Sequence, residues 1–332
     1  MITVLGMHRS GTSVLAALVE SLGVHMGTPD EFLTTLPENA RGYWEHRGIR
    51  DLNEELLRRL HGSWHTPPVL PHGWEHVPAL DDLRVRARTL VSGLAGHGHW
   101  GWKDPRACIL LPFWQLQMPP MHHVISLRNP VDVAQSLARR DDLPFDHGVR
   151  LWLVHYACAL AAVGDAPCLM VPYDALLDNP ASLVDRLRSF VGTGTTRPPG
   201  HAIVSPSLRH HLTPDEDVAR HPGVPAEIRG LYAGLVQAAH AQPDGVRLHA
   251  AAAVGAMRRL AEADVSRGDH AWFVQFARGY GAAAPLPEAF GHARPDSAAR
   301  QHVRAFLSGH PLLGRAYRAV RRRVRRTLEL GP

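Results

Sequence analysis

Cysteine is scarce in this chain. Three of 332 residues, Cys108, Cys158 and Cys168, form an odd set without the paired spacing of a metal or redox motif. That excludes a disulfide framework and assigns the thiols small buried apolar roles in a reducing compartment. Long hydrophobic runs are absent too. The most apolar stretch, residues 151–163, carries His155 and is too short to span a bilayer, and the chain enters its first strand without a basic leader or cleavage site. A cytoplasmic location is the expectation. Diffuse basic charge is likewise missing. Arg315, Arg318, Arg321, Arg322, Arg323, Arg325 and Arg326 supply seven positive charges, and without them the net charge of +5 turns to −2. A nucleic-acid footprint is therefore not expected, whereas the arginine-rich tail offers peripheral contact with an acidic membrane surface. What remains, 45% hydrophobic and 20% charged residues, is the composition of an ordinary globular protein with no solenoid repeat or coiled-coil heptads.

The most informative stretch is residues 1–23, MITVLGMHRSGTSVLAALVESLG. Four strand-competent residues, Ile2 to Leu5, precede a loop bounded by Gly6 and Gly11, and Val14, Leu15, Leu18, Val19 and Leu22 then repeat at helical spacing. A strand, a glycine-bounded loop and a helix N-terminus make an anion site, because unpaired amides and the positive end of the helix dipole converge there. The nucleoside-triphosphate form of such a loop ends in Gly-Lys-Ser/Thr, and Thr12 stands where that lysine would be. Arg9 brings a planar cation to the loop instead.

Further along, residues 100–106, WGWKDPR, put Lys103 at the end of a short apolar run, with Pro105 placed to open a helix. His123 to Leu127 form another strand-competent run, after which Asn129 caps and Pro130 begins a helix with Val131, Ala134, Leu137 and Ala138 on one face. Arg128 then stands on a strand end. Ser136 follows eight residues later and Arg140 four after that, so the three could grip one phosphate from several sides.

The run Arg9, Ser10, Gly11, Thr12, Ser13 resembles the 5'-phosphosulfate loop of sulfotransferases that use 3'-phosphoadenosine 5'-phosphosulfate (PAPS), in their glycan and tyrosyl branches. Arg128 and Ser136 match the 3'-phosphate signature of that family, and the Lys-Asp-Pro triplet at Lys103 is similar to the tyrosyl branch. The resemblance covers roughly residues 1–192 and implies a three-layer α/β fold with a parallel sheet of about five strands, of the P-loop nucleotide-hydrolase kind. It implies that His8 and residues 9–13 hold the 5'-phosphosulfate and that Lys103 steadies charge developing during transfer. Arg128, Ser136 and Arg140 would then hold the 3'-phosphate. Tyr173, in the phrase VPYDALLDNP, would lie beside the adenosine, and Arg209 would belong to a late basic loop closing the site. A base for the acceptor hydroxyl is expected shortly after the first helix, where Glu38, Glu45 and His46 are the candidates and Glu45 is favoured. The RSGTS form points to a carbohydrate, glycolipid or glycosylated metabolite as acceptor, with 3'-phosphoadenosine 5'-phosphate (PAP) as the product.

No metal is expected. His61/His65 and His72/His76 have the i, i+4 spacing of zinc ligands, but the glutamate that follows the first histidine of a zinc motif is missing and prolines interrupt the neighbourhood. Residues 62–98 read as a substrate-side insertion. His155, on an apolar helix over residues 149–163, reads as a satisfied core histidine, and Asp174 or Asp104 could serve a rival P-loop kinase or triphosphatase as a magnesium ligand. A non-catalytic nucleotide-binding module is the other alternative. The expected division is a donor-binding domain over residues 1–224 and a helical extension with a basic tail over 225–332. Oligomeric state is left open.

Overall fold

The computed structural model describes residues 1–33, 44–178, 180–195, 213–241 and 249–283. Four strands form the sheet among these residues: β1 (Ile2–Leu5), β2 (Gly101–Lys103), β3 (His122–Leu127) and β4 (Cys168–Pro172), all parallel in the order β2-β1-β3-β4. That is one fewer than the five expected. The helices in chain order are α1 (Thr12–Ser21), α2 (Arg47–Arg59), α3 (Asp81–Ala95), α4 (Ala107–Gln115), α5 (Pro130–Asp141), α6 (Phe145–Val163), α7 (Tyr173–Asp178), α8 (Pro180–Val191), α9 (Asp215–Arg220), α10 (Ala226–Ala241), α11 (Ala250–Arg267) and α12 (Ala271–Gly279).

Strand alternation sends Ile2, Val4, Val124, Leu169 and Val171 to one face, where they share a core with Leu15, Leu18 and Leu22 of α1 and Leu183 and Leu187 of α8. Helices α4 and α6 cover the other face. The thiol of Cys108 in α4 accepts a hydrogen bond from Gly6 N at 3.1 Å, and Tyr156 of α6 donates to the Ser126 carbonyl at 2.6 Å. Parallel strands covered on both sides are buried nearly throughout, so β1, β3 and β4 are mostly apolar, and the polar Thr3 and His123 buried among them pair with each other. This is the α/β architecture expected from the sequence.

Local signals set the helix starts. Asn129 accepts from Asp132 N at 2.8 Å with Pro130 in the first helical position, so α5 begins where expected. Helix α4 begins later than Pro105. The Asp104 carboxylate accepts from Arg106 N at 2.9 Å and its carbonyl from Ala107 N at 3.0 Å, so residues 104–106 are spent on the turn that enters the helix.

A first compact unit runs Met1–Leu286. In the first unit α11 packs on α6, locked by the Arg150 guanidinium, which meets the buried Asp264 carboxylate at 2.6 and 2.7 Å. The arginine tail lies outside the described residues. No helix among those described is long and apolar enough to cross a membrane.

Candidate active site

Parallel pairing places the ends of all four strands on one edge. Val4 pairs with Lys103, Leu5 with Ile125, and Leu127 with Pro172, so Lys103, the loop after Leu5, Arg128 and Tyr173 emerge side by side at the carboxyl edge. The chain leaves β1 toward β2 on one side and β3 lies on the other, which makes this a topological switch point, where open α/β sheets bind ligands.

The loop's glycines are required by its shape. Gly6 has φ +140°, and a Cβ there would lie 2.8 Å from both Ser10 Oγ and the Ser126 carbonyl. At Gly11, φ is +87° and a Cβ would fall 2.3 Å from the Tyr173 ring. Gly11 is also the N-cap of α1 and contributes no side-chain cap, leaving the first-turn amides to face outward. Ser10 and Thr12 are buried within the loop, where Ser10 Oγ donates to the Met7 carbonyl at 2.6 Å and Ser126 Oγ to the Ser10 carbonyl at 2.6 Å. Ser13 is the second residue of α1. The shape is a rigid backbone cradle for an anion.

Arg9, itself at φ +68°, ties the loop to the distant motif. Its Nε donates to Ser136 Oγ at 2.8 Å, and Arg128 Nη1 donates to the Arg9 carbonyl at 3.1 Å. Arg128 also lies over the Tyr173 ring, 4.7 Å from its centroid, and 3.5 Å from Asp132. Arg140, one helical turn after Ser136 on α5, pairs with Asp141 at 2.7 Å and lies 5.6 Å from the Trp64 ring centroid.

Across the loop, Lys103 Nζ donates to Glu45 Oε1 at 2.8 Å, and Arg106 reaches the other oxygen of the same carboxylate at 3.4 Å. Both Lys103 and Glu45 are buried. Arg106 further binds Asp104 at 2.9 Å and Glu54 at 2.6 Å, while Asn53 donates to Asp104 at 3.1 Å. Both Asp104 oxygens are thereby engaged by protein donors. His46 caps α2, accepting from Gly48 N at 3.1 Å, and its other nitrogen lies 3.4 Å from Glu31. Of the three candidate bases, then, Glu45 is held by two cations and His46 by a helix end. Glu38 and Arg209 lie outside the described residues.

Among the solved structures that resemble the chain are two sulfotransferase domains. The sulfotransferase domain from the Synechococcus PCC 7002 olefin synthase is 16% identical over 75% of this chain and 92% of that chain, with a TM-score of 0.39. The sulfotransferase domain from the curacin biosynthetic pathway is 14% identical over 63% of this chain and 76% of that one, with a TM-score of 0.36. No family model matches, and no curated protein does. Identities and TM-scores this low leave the functional reading to the chain's own residues.

Lys103, the chain's single lysine, was legible in the sequence, but two other features of the site were not. Arg106 and Asn53 carry no motif, and their importance comes only from the fold that brings α2 to the end of β2. His155 is not satisfied: Nδ1 meets the Leu151 carbonyl at 2.8 Å, but Nε2 is buried without a hydrogen-bond partner. Asp174 sits beside Arg128 and Asp132, and burial, then Asp132, push its carboxyl up to about 6. Among the described residues, no group of three or more His, Cys, Asp or Glu side chains is arranged to hold a metal ion.

Proposed function

We propose that the protein transfers a sulfuryl group from PAPS to an acceptor hydroxyl on a carbohydrate, glycolipid or glycosylated metabolite. The observation that carries this reading is the Arg128–Arg9–Ser136 linkage, in which the residues that resemble a 3'-phosphate grip bond directly to the loop that resembles a 5'-phosphosulfate cradle. A ligand with anionic groups at both ends suits such a site. The fit is supported by the glycine-only cradle, which admits backbone amides close to an oxyanion, and by the arginine forks of Arg9 and Arg128 beside it.

PAPS supplies the activated sulfuryl group; the chain supplies position and charge. By analogy with phosphoryl transfer, catalysis consists mainly of holding groups in line and placing cations where oxygen charge grows. The first-turn amides of α1 and Arg9 hold the 5' end. Lys103, preset by Glu45, faces the oxygen that leaves with the 5'-phosphate, and Arg128 and Ser136 hold the 3' end with Tyr173 beside the adenosine.

The test is nucleotide selectivity. PAP should raise the melting temperature more than ADP or ATP in the wild type, and Arg128→Ala should erase that preference. Equal stabilisation by ATP and PAP in both proteins would sink the reading in favour of a P-loop kinase or triphosphatase.

A further inference from the structure

His8 belongs to the loop but not to its anion-facing backbone. Its ring is buried at 6% exposure, packed 4.4 Å from the Trp64 ring centroid and 6.1 Å, edge-on, from His155. Its Nε2 is buried without a hydrogen-bond partner. A buried polar nitrogen left unpaired costs free energy, so a site that keeps one has a use for it.

We propose that His8 Nε2, rather than Glu45 or His46, takes the proton from the acceptor hydroxyl; this rests on the sulfuryl-transfer reading. Three observations carry it. Glu45 is already bound to Lys103 and Arg106, so protonating it would strand two buried cations. His46 spends one nitrogen on its helix cap. His8 is next in sequence to Arg9 and shares its surroundings with Lys103, whereas His155 lies deeper and has its proton committed to the Leu151 carbonyl. A carbonyl only accepts, so His155 holds its hydrogen on Nδ1.

The charges facing His8 are Arg106 and Lys103 from around β2, Arg140 from α5 and His155 from α6. Burial first, and then those groups, hold its imidazole well below 6.5. The ring is therefore neutral before a donor binds, with a lone pair ready. An anionic donor bound among the same cations offsets their field and raises the basicity of His8, so the base strengthens when its partner arrives. In the step itself, the acceptor O–H bond breaks, its proton goes to Nε2 and its electron pair forms the new O–S bond. The S–O bond to the 5'-phosphate breaks with its pair staying on that phosphate, and the imidazolium later returns its proton to water.

The experiment uses the full chain labelled with [ring-¹³C]histidine, whose His8 signal among 23 histidines is the one lost in His8→Gln, or in His8→Asn if the first variant folds poorly. Saturating PAP should raise the His8 titration midpoint by about one pH unit or more. Turnover of [³⁵S]PAPS with water as acceptor should fall about 100-fold or more in His8→Gln, with PAP stabilisation retained. If PAP does not stabilise the wild type, the sulfuryl-transfer reading fails first. If PAP binds but the His8 signal does not move, or His8→Gln turns over within twofold of wild type, His8 is not the base and the donor reading stands.

Discussion

Lys103 and Glu45, 58 positions apart in sequence, meet at 2.8 Å as a buried ion pair with Arg106 on the second carboxylate oxygen. Removing one member of such a cluster leaves the other charged and desolvated. Lys103→Ala should therefore destabilise the fold by about 3 kcal/mol in urea denaturation. The double variant Lys103→Met/Glu45→Leu, which replaces the pair by apolar groups of similar size, should recover most of that stability yet restore no sulfuryl transfer. Recovery of transfer would show that Lys103 acts only as a structural partner.

Gly11 and Tyr173 are in contact because the glycine has no side chain. Gly11→Ala puts a methyl 2.3 Å from the ring and an L-residue at φ +87°. It should cost about 2 kcal/mol or more and abolish PAP binding. Adding Tyr173→Ala makes room for the methyl but leaves the backbone strain, so about 1 kcal/mol of the loss should persist. Thermal melts of the two single variants and the double variant check this. Full recovery in the double would mean that the loop tolerates an L-residue at this position.

Much of this site is legible in the sequence because its signals are local. The glycines at 6 and 11, Asn129 before Pro130, and the apolar runs of β1, β3 and β4 each determine a nearby backbone shape, and the parallel sheet then collects their ends on one edge. What could not be read is what depends on contacts between remote segments. Arg140 shares α5 with Ser136, but its contact with Trp64 depends on a segment more than seventy positions away. Glu45 was visible as a carboxylate at a suitable distance along the chain, but its engagement by Lys103 and Arg106 exists only after α2 and β2 come together. The orphan nitrogens of His8 and His155 are invisible to any pattern, since an unpaired atom is defined by its surroundings.

Asp174 should make stability fall as pH rises. Its carboxyl is pushed up to about 6 by burial and by Asp132, against 3.8 when unfolded, so the folded chain holds this proton more tightly. The penalty is absent below 3.8, grows through the interval up to about 6 and is complete above it. Because the side chain is partly exposed, solvent screening reduces the effect to about 1–2 kcal/mol. Asp174→Asn should raise the melting temperature at pH 7.5, change little at pH 3.5, and tighten PAP binding by removing a negative charge beside Arg128. A variant equally stabilised at both pH values would show that the carboxylate is not strained by its neighbours.

The Arg150–Asp264 clamp decides whether the helices after residue 224 are an appendage. Asp264 is fully buried on α11, and although burial raises its carboxyl, the hydrogen bonds from Arg150 and Arg267 outweigh that and hold it below the usual range. Its contribution is thus present above the unfolded value and is lost as pH falls through the folded one. A chain ending at Val224 would leave Arg150, 4% exposed in the intact protein, without its carboxylate, and would uncover the α6 surface on which α11 packs. Such a chain should show no cooperative urea transition. In the full chain, Asp264→Asn should cost about 3 kcal/mol, most of it recovered by adding Arg150→Met. A truncated chain that melts cooperatively and retains PAP binding would establish residues 1–224 as a domain in their own right.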